Sequence, residues 1–263
     1  MGTKRALLVG INLYKLPGNN LQGCVNDVND VRNLLLSKYG FGPQDITMLT
    51  DRQATKANMV ASLKALVASG ADSMVFHYSG HGSEVQQTDG HVDQCLCPQD
   101  MMDYSTVLLD EEIAGILNGL PLGAKLYFVS DSCHSGTVDR DILMHSNPHP
   151  AKARFMAVPG YELAVHHTQG RRSLVNFLTP RAAAGIHLLL SGCRDDQTSA
   201  DAYFNGVYNG ALTKSVLVAL GASPTQNWNQ LHDAVVSWMQ QNHFEQEPQL
   251  SGPIELTSQA VFA

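Results

Sequence analysis

Basic charge is scarce and scattered in this chain: 17 Lys and Arg stand against 24 Asp and Glu, and no Lys or Arg run exceeds two. Nucleic-acid binding needs a basic face, so a net charge of −7 argues against that class. No apolar segment approaches the roughly 20 residues that span a bilayer. MGTKRALLVG enters a strand-like run with no apolar leader before it, so neither secretion nor a membrane partner is expected. Cysteine is sparse and odd in number, at five, which excludes a closed disulfide framework and suits a reducing, cytoplasmic setting. Gly and Pro, at 22 and 11, are near average usage, so the chain is not low-complexity. What it does have is 263 residues, 44% of them hydrophobic, enough for one substantial core.

The apolar residues alternate between two periods. Arg5–Ile11 reads as a buried strand, and residues 25–38 carry Val28, Val31, Leu34 and Leu35 at helical spacing. Ile46–Leu49 is a second strand, and residues 56–68 hold Met59, Leu63, Leu66 and Val67 on one helical face. Ser73–Tyr78 is a third strand, followed by a polar stretch to about residue 107. A short helix near 110–118 leads into a strand at 125–129, His187–Ser191 is a fifth strand, and residues 210–220 and 227–241 read as helices. Strand–helix alternation of this kind predicts an α/β fold, a three-layer α/β/α sandwich around a mainly parallel sheet. Residues 138–181, rich in Pro, His and Arg, show no period and are expected to be a functional loop, flexible insert or linker. The expected organisation is a single domain over 1–263, with parts at 1–137 and 182–263 on either side of that insert.

Two polar clusters sit where buried strands stop: FHYSGHGSE (76–84) and VSDSCHSGT (129–137). Chemistry in open α/β sheets gathers beyond the carboxyl ends of the strands. An unperturbed thiol is only a few per cent thiolate at pH 7, so Cys133 as a nucleophile needs a base. His81, 52 residues earlier, is the candidate, because parallel neighbours about 4.8 Å apart bring their ends together. The glycines flanking His81 leave room for a substrate backbone, and the Gly82 and Cys133 amides are candidate oxyanion donors. Alone, either residue would read as a loop histidine or an inert thiol; their pairing at adjacent strand ends favours catalysis. His134, next to the nucleophile in sequence, is expected to point elsewhere, and His77 to be a hydrogen-bonded core residue.

HYSGHG (77–82) and DSCHSG (131–136) resemble the paired motifs around the catalytic His and Cys of metacaspases and their prokaryotic relatives. ALLVGINLY (6–14), LQGCVNDV (21–28), LCPQD (96–100) and SGCRDDQTSADA (191–202) are similar to family segments in the same order. The resemblance implies a caspase-like fold and a cysteine endopeptidase with His81 as base and Cys133 as nucleophile. It also implies cleavage after Arg or Lys, with Asp27 and Asp131 matching the carboxylates of the specificity pocket and Ser79 a serine at its border. Cys24 matches another pocket position and could equally be core. A guanidinium facing such carboxylates gains charge-assisted hydrogen bonds of about 1.5–3 kcal/mol each. Asp27 could instead serve its helix N-terminus, and Asp131 could orient a loop. Two alternatives remain beside the protease: a silent module that holds basic segments, and a peptidase with acidic specificity.

The resemblance implies that the chemistry needs no cofactor, that protein or peptide substrates with basic residues are the partners, and that the chain acts as a monomer. Many family members need Ca2+. Asp89, Asp93, Asp100, Asp110 and Asp139 are present, but their spacing does not align cleanly with the family ligands, so calcium activation stays an open expectation. The insert offers Arg140, Lys152, Arg154, Arg171, Arg172 and Arg181 as self-cleavage points. His91, Cys95 and Cys97 have poor spacing for zinc, and no metal is assigned to them.

Overall fold

The computed structural model describes residues 2–87, 92–134, 149–161, 171–172 (backbone only), 185–194 and 197–263. The first half supplies β1 (Lys4–Gly10), α1 (Cys24–Lys38), β2 (Ile46–Thr50), α2 (Lys56–Ala68) and β3 (Ser73–Ser79). Then come β4 (Gly82–Gln86), β5 (Val92–Leu96), β6 (Leu108–Leu109), α3 (Asp110–Leu117) and β7 (Lys125–Asp131). After them lie β8 (Lys152–Ala153), β9 (Arg171–Arg172), β10 (Ile186–Ser191), β11 (Ala200–Phe204) and β12 (Val207–Gly210). Helices α4 (Ala211–Ala222) and α5 (Trp228–Gln241), strand β13 (Gln249–Ser251) and a helical turn α6 (Ile254–Thr257) complete the described elements.

The central sheet has the order β13-β10-β7-β3-β1-β2; all neighbours are parallel except β13, which pairs antiparallel with β10. Strands from both sides of the 138–181 segment therefore share one sheet. Each central strand is apolar on both faces, as a sheet covered twice requires. Leu7 and Val9, with Met74, Phe76, Leu126 and Phe128, form one core with α2 and α3. Ala6 and Leu8, with Val75, Tyr127, Val129, Leu188 and Leu190, form the other with α1, α4 and α5. Phe76 and Phe128 stack at 4.4 Å between centroids, tying β3 to β7 where the site is built. The architecture is a three-layer α/β/α sandwich.

Two segments differ from the sequence expectation. The stretch after β3 is not simply polar loop: β4 and β5 pair antiparallel, and Ser83, Glu84, Asp93 and Gln94 are buried with them. Its short strands lack an apolar alternation because the hairpin buries polar groups. Within the 138–181 segment, Lys152–Ala153 joins a small sheet through β11, which pairs antiparallel with both β8 and β12. Met156 and Val158, just beyond, lie in the first core.

Candidate active site

β2 and β3 flank β1 on opposite sides, and such a reversal of strand order marks the carboxyl ends where open α/β sheets bind ligands. Ser79 and Asp131 pair across the ends of β3 and β7. Chain continuity then puts His81 and Cys133 two residues past adjacent strand ends. Tyr14 holds the first turn in place: its hydroxyl accepts from the His81 amide at 2.7 Å, and the two rings lie 4.8 Å apart. A Cβ at Gly82 would sit 2.0 Å from the Cys133 carbonyl, so the two loops close only because residue 82 has no side chain.

His81 is fully buried. Its Nε2 lies 2.7 Å from the Asn19 carbonyl; a carbonyl only accepts, so Nε2 carries the proton and Nδ1 keeps its lone pair. Nδ1 has no hydrogen-bond partner. Burial is the main cause that lowers the imidazole to about 3, with the Asn19 carbonyl opposing it and the Lys152 and Arg154 cations adding to it. The ring is therefore neutral at physiological pH, as a base must be. The Cys133 thiol donates to the Ser199 carbonyl at 3.2 Å, and the Ser199 amide sits against the sulfur. Thiol and imidazole are not hydrogen-bonded to one another in this arrangement.

A peptide of the chain itself lies at this place. Residues 152 and 153 pair with Asp201 and Ala200, and the Arg154 amide donates to the Ser199 carbonyl at 3.0 Å. The Arg154 carbonyl accepts from the Gly82 amide at 2.9 Å and from the Cys133 amide at 3.2 Å. The Met156 amide then donates to the Gly82 carbonyl at 3.0 Å, continuing the strand past the cysteine. Both candidate oxyanion amides thus point at one carbonyl, that of an arginine.

The Arg154 side chain is wholly buried among carboxylates. Its Nη2 donates to Asp27 at 2.8 Å and to Asp201 at 3.0 Å, and its Nη1 lies 3.2 Å from Asp131 and donates to the Ser79 hydroxyl at 2.8 Å. Each carboxylate is separately held. Asp27 accepts from Ser79 Oγ, Asn209 Nδ2 and the Gly210 amide. Asp131 accepts from Ser199 Oγ and from the amide and hydroxyl of Thr213. Asp201 accepts from the Gln22 and Gly23 amides. Removal from water pushes Asp27 up to about 6 despite the guanidinium, so this pocket is anionic at a cost that a cation relieves.

The structure thus brings Asp27, Asp131 and Ser79 around one guanidinium, with Cys24 buried beside them, its thiol raised by burial. Sequence reasoning missed three participants. Asp201 lies within SGCRDDQTSADA, where nothing local sets it apart from the other acidic residues. Arg154 was one of six basic positions in the insert, with nothing local to choose it. Asn19 acts through its carbonyl, which leaves no trace in residue type. His77 is buried as expected, but its Nε2 has no hydrogen-bond partner. His134 was expected to point away, yet its Nδ1 lies 3.1 Å from the position of a Gly82 Cβ.

For calcium the fit is partial. Asp110 Oδ2 is buried without a partner, and burial, with Asp93 and Glu111 contributing, raises this carboxyl to about 7. Asp93 accepts from Gln87 at 2.6 Å, whereas Asp100 is engaged by the Lys56 amide. Asp89 and Asp139 lie outside the described residues. Among the described residues, no three His, Cys, Asp or Glu side chains are grouped to hold a metal ion. Cys95 and Cys97 belong to the first core, and His91 is outside the described residues. The five cysteines are buried and form no disulfide among the described residues. No described helix is long and apolar enough to cross a membrane.

Residues 4–140 match the family profile of the metacaspase, peptidase C14 domain. Metacaspase-1 of Meyerozyma guilliermondii is 31% identical over 95% of this chain and 69% of its own length. Metacaspase-1 of Arabidopsis thaliana is 37% identical over 84% of this chain and 60% of its own length. The chain thus spans roughly two thirds of these relatives. A solved protein of Geobacter sulfurreducens superposes with a TM-score of 0.71 at 23% identity, over 99% of this chain and 98% of that one. Caspase-1 of Spodoptera frugiperda superposes at 0.62 and 11% identity, over 95% and 86%. At those identities the structural likeness establishes the fold alone.

Proposed function

Because this chain belongs to the metacaspase family and is a cysteine-type peptidase, we propose that it cuts peptide bonds after Arg, and after Lys, through His81 and Cys133. One observation carries the reading: a buried arginine whose guanidinium meets three carboxylates and whose carbonyl accepts from the Gly82 and Cys133 amides. An acid-preferring pocket would need cations where Asp27, Asp131 and Asp201 stand.

The chemistry follows from these positions. The Cys133 sulfur, its proton passed to His81 Nδ1, attacks the carbonyl carbon of the bound arginine. The oxygen gathers negative charge between two amides already aimed at it, so little reorganisation is needed. His81 then gives the proton to the departing amine, the C–N bond breaks, and an acyl-enzyme remains. Water, deprotonated by the same imidazole, releases the new carboxylate and restores the thiol. Asn19 keeps the ring in the tautomer that presents Nδ1 throughout. Calcium takes no part in these steps; Asp93 and Asp110 are the described residues that would hold it, as a structural activator.

In this reading the Arg154–Phe155 bond is the chain's own first substrate. This reading needs one chain only, which supplies dyad, pocket and bound segment. The test is mass analysis of the purified protein with and without calcium, alongside release of a reporter from a peptide ending in arginine. A new terminus after Arg154 and turnover of the peptide are expected in the native protein, and neither in Cys133→Ala. Persistence of both in that variant, or their absence from the native protein under every condition, would remove the proposal.

A further inference from the structure

Lys152, two residues before Arg154, is exposed, yet its ammonium is held. Its ammonium donates to the Gly18 carbonyl at 3.1 Å and to the Asn20 carbonyl at 2.7 Å. The carbonyl between those two, that of Asn19, is the one that receives His81 Nε2. Three successive carbonyls of one turn thus serve two tasks: the outer pair holds a cation and the middle one orients the base. Gly18 sits at φ +83°, a left-handed conformation that glycine adopts without strain. The rest of the turn is pinned by side chains: Asn19 Nδ2 donates to the Leu16 and Pro17 carbonyls, and Asn20 Oδ1 accepts from the Tyr14 amide.

We propose that the turn 18–20 is a second cation subsite, for a Lys or Arg side chain two residues before the arginine at which the chain is cut, and that its occupancy fixes the Asn19 carbonyl on His81. The recognised pattern is then basic, small, basic, as in Lys152-Ala153-Arg154. A lysine there is bound chiefly by main-chain oxygens, so the subsite asks for a long cationic donor. Its ammonium also lies close enough to His81 to act against protonation of the ring. The partial exposure of this residue limits the gain, which is therefore smaller than that of the buried pocket. The subsite makes Lys152 and its counterpart in a substrate positioning groups, acting on the chemistry through Asn19. The inference rests on cleavage after arginine as proposed above.

The experiment uses native protein whose own cut has gone to completion and three reporter peptides: Lys-Ala-Arg, Arg-Ala-Arg and norleucine-Ala-Arg, the last matching the lysine stem without its charge. The two basic peptides should show a kcat/KM roughly tenfold above the norleucine peptide, with kcat itself raised. In the full chain, Lys152→Met should slow the cut after Arg154 by a similar factor, and Lys152→Arg should restore it. Equal kcat for lysine and norleucine peptides, whether or not KM differs, would overturn the coupling to the base. Failure to cut any of the three peptides would instead count against cleavage after arginine altogether.

Discussion

Two groups of buried carboxylates among the described residues are treated differently. At the cleft, Asp27, Asp131 and Asp201 surround the guanidinium of Arg154, and nearly every oxygen has a named donor. At the start of α3, Asp110 is equally out of water, but one of its oxygens meets no donor and its neighbours Asp93 and Glu111 are also acidic. The same side chain therefore pairs with a cation in one region, where we propose it recognises substrate, and is a proton-seeking group in the other. Burial alone does not make a specificity pocket; a cation of matching shape, with donors that hold the carboxylates apart, does.

Three variants test that contrast, beginning with the strongest. Asp27→Asn removes one charged partner of the bound arginine. Cleavage of arginyl peptides should fall roughly 100- to 1000-fold in kcat/KM, the loss of a desolvated charge-assisted pair. Steady-state kinetics beside Asp110→Asn, expected to stay within a few-fold without calcium, would collapse the comparison if the two variants lost equally. Arg154→Ala leaves three carboxylates without their cation. Urea unfolding should show a loss on the order of 3 kcal/mol, smaller wherever water enters the pocket. An unchanged midpoint would mean that the ion cluster does not contribute to the fold.

Asp110→Asn should act in the opposite sense. The folded chain keeps a proton on Asp110 up to about pH 7, whereas the unfolded chain releases it near the ordinary carboxylate value of about 4. Between those limits the folded state binds more protons, so this group makes stability fall as pH rises through the window. Replacing it should stabilise the protein above pH 7 by about 1 kcal/mol and flatten that slope. Calcium should raise the midpoint of the native protein at pH 8 and do so less in the variant. His81 and His77 slope the other way: burial lowers them to about 3 and about 4, so their contribution is lost as pH falls below about 6.5.

The frame of the fold was readable because its information is local. Val9, Phe76, Phe128 and Leu189 lie in runs apolar on both faces, and such runs separated by helical periods leave few architectures. His81 and Cys133 were readable because each follows such a run directly. The hairpin β4–β5 was not, since Ser83, Glu84 and Gln94 are polar residues buried by partners that no local pattern announces. Arg154 was illegible in a deeper way. A guanidinium 127 residues from Asp27 looks like surface charge until the chain is folded, and five other basic residues of the same segment looked the same.

Under the proposed cut after Arg154, storing a counter-ion in the severed strand has a thermodynamic aftermath. Once the cut end departs, a cavity built to be filled stands open, and the tertiary structure becomes hostage to its next visitor. A basic peptide or inhibitor should therefore protect the processed form against heat far more than the intact one. Turnover would then be coupled to endurance: idle processed molecules would melt first, and busy ones would last.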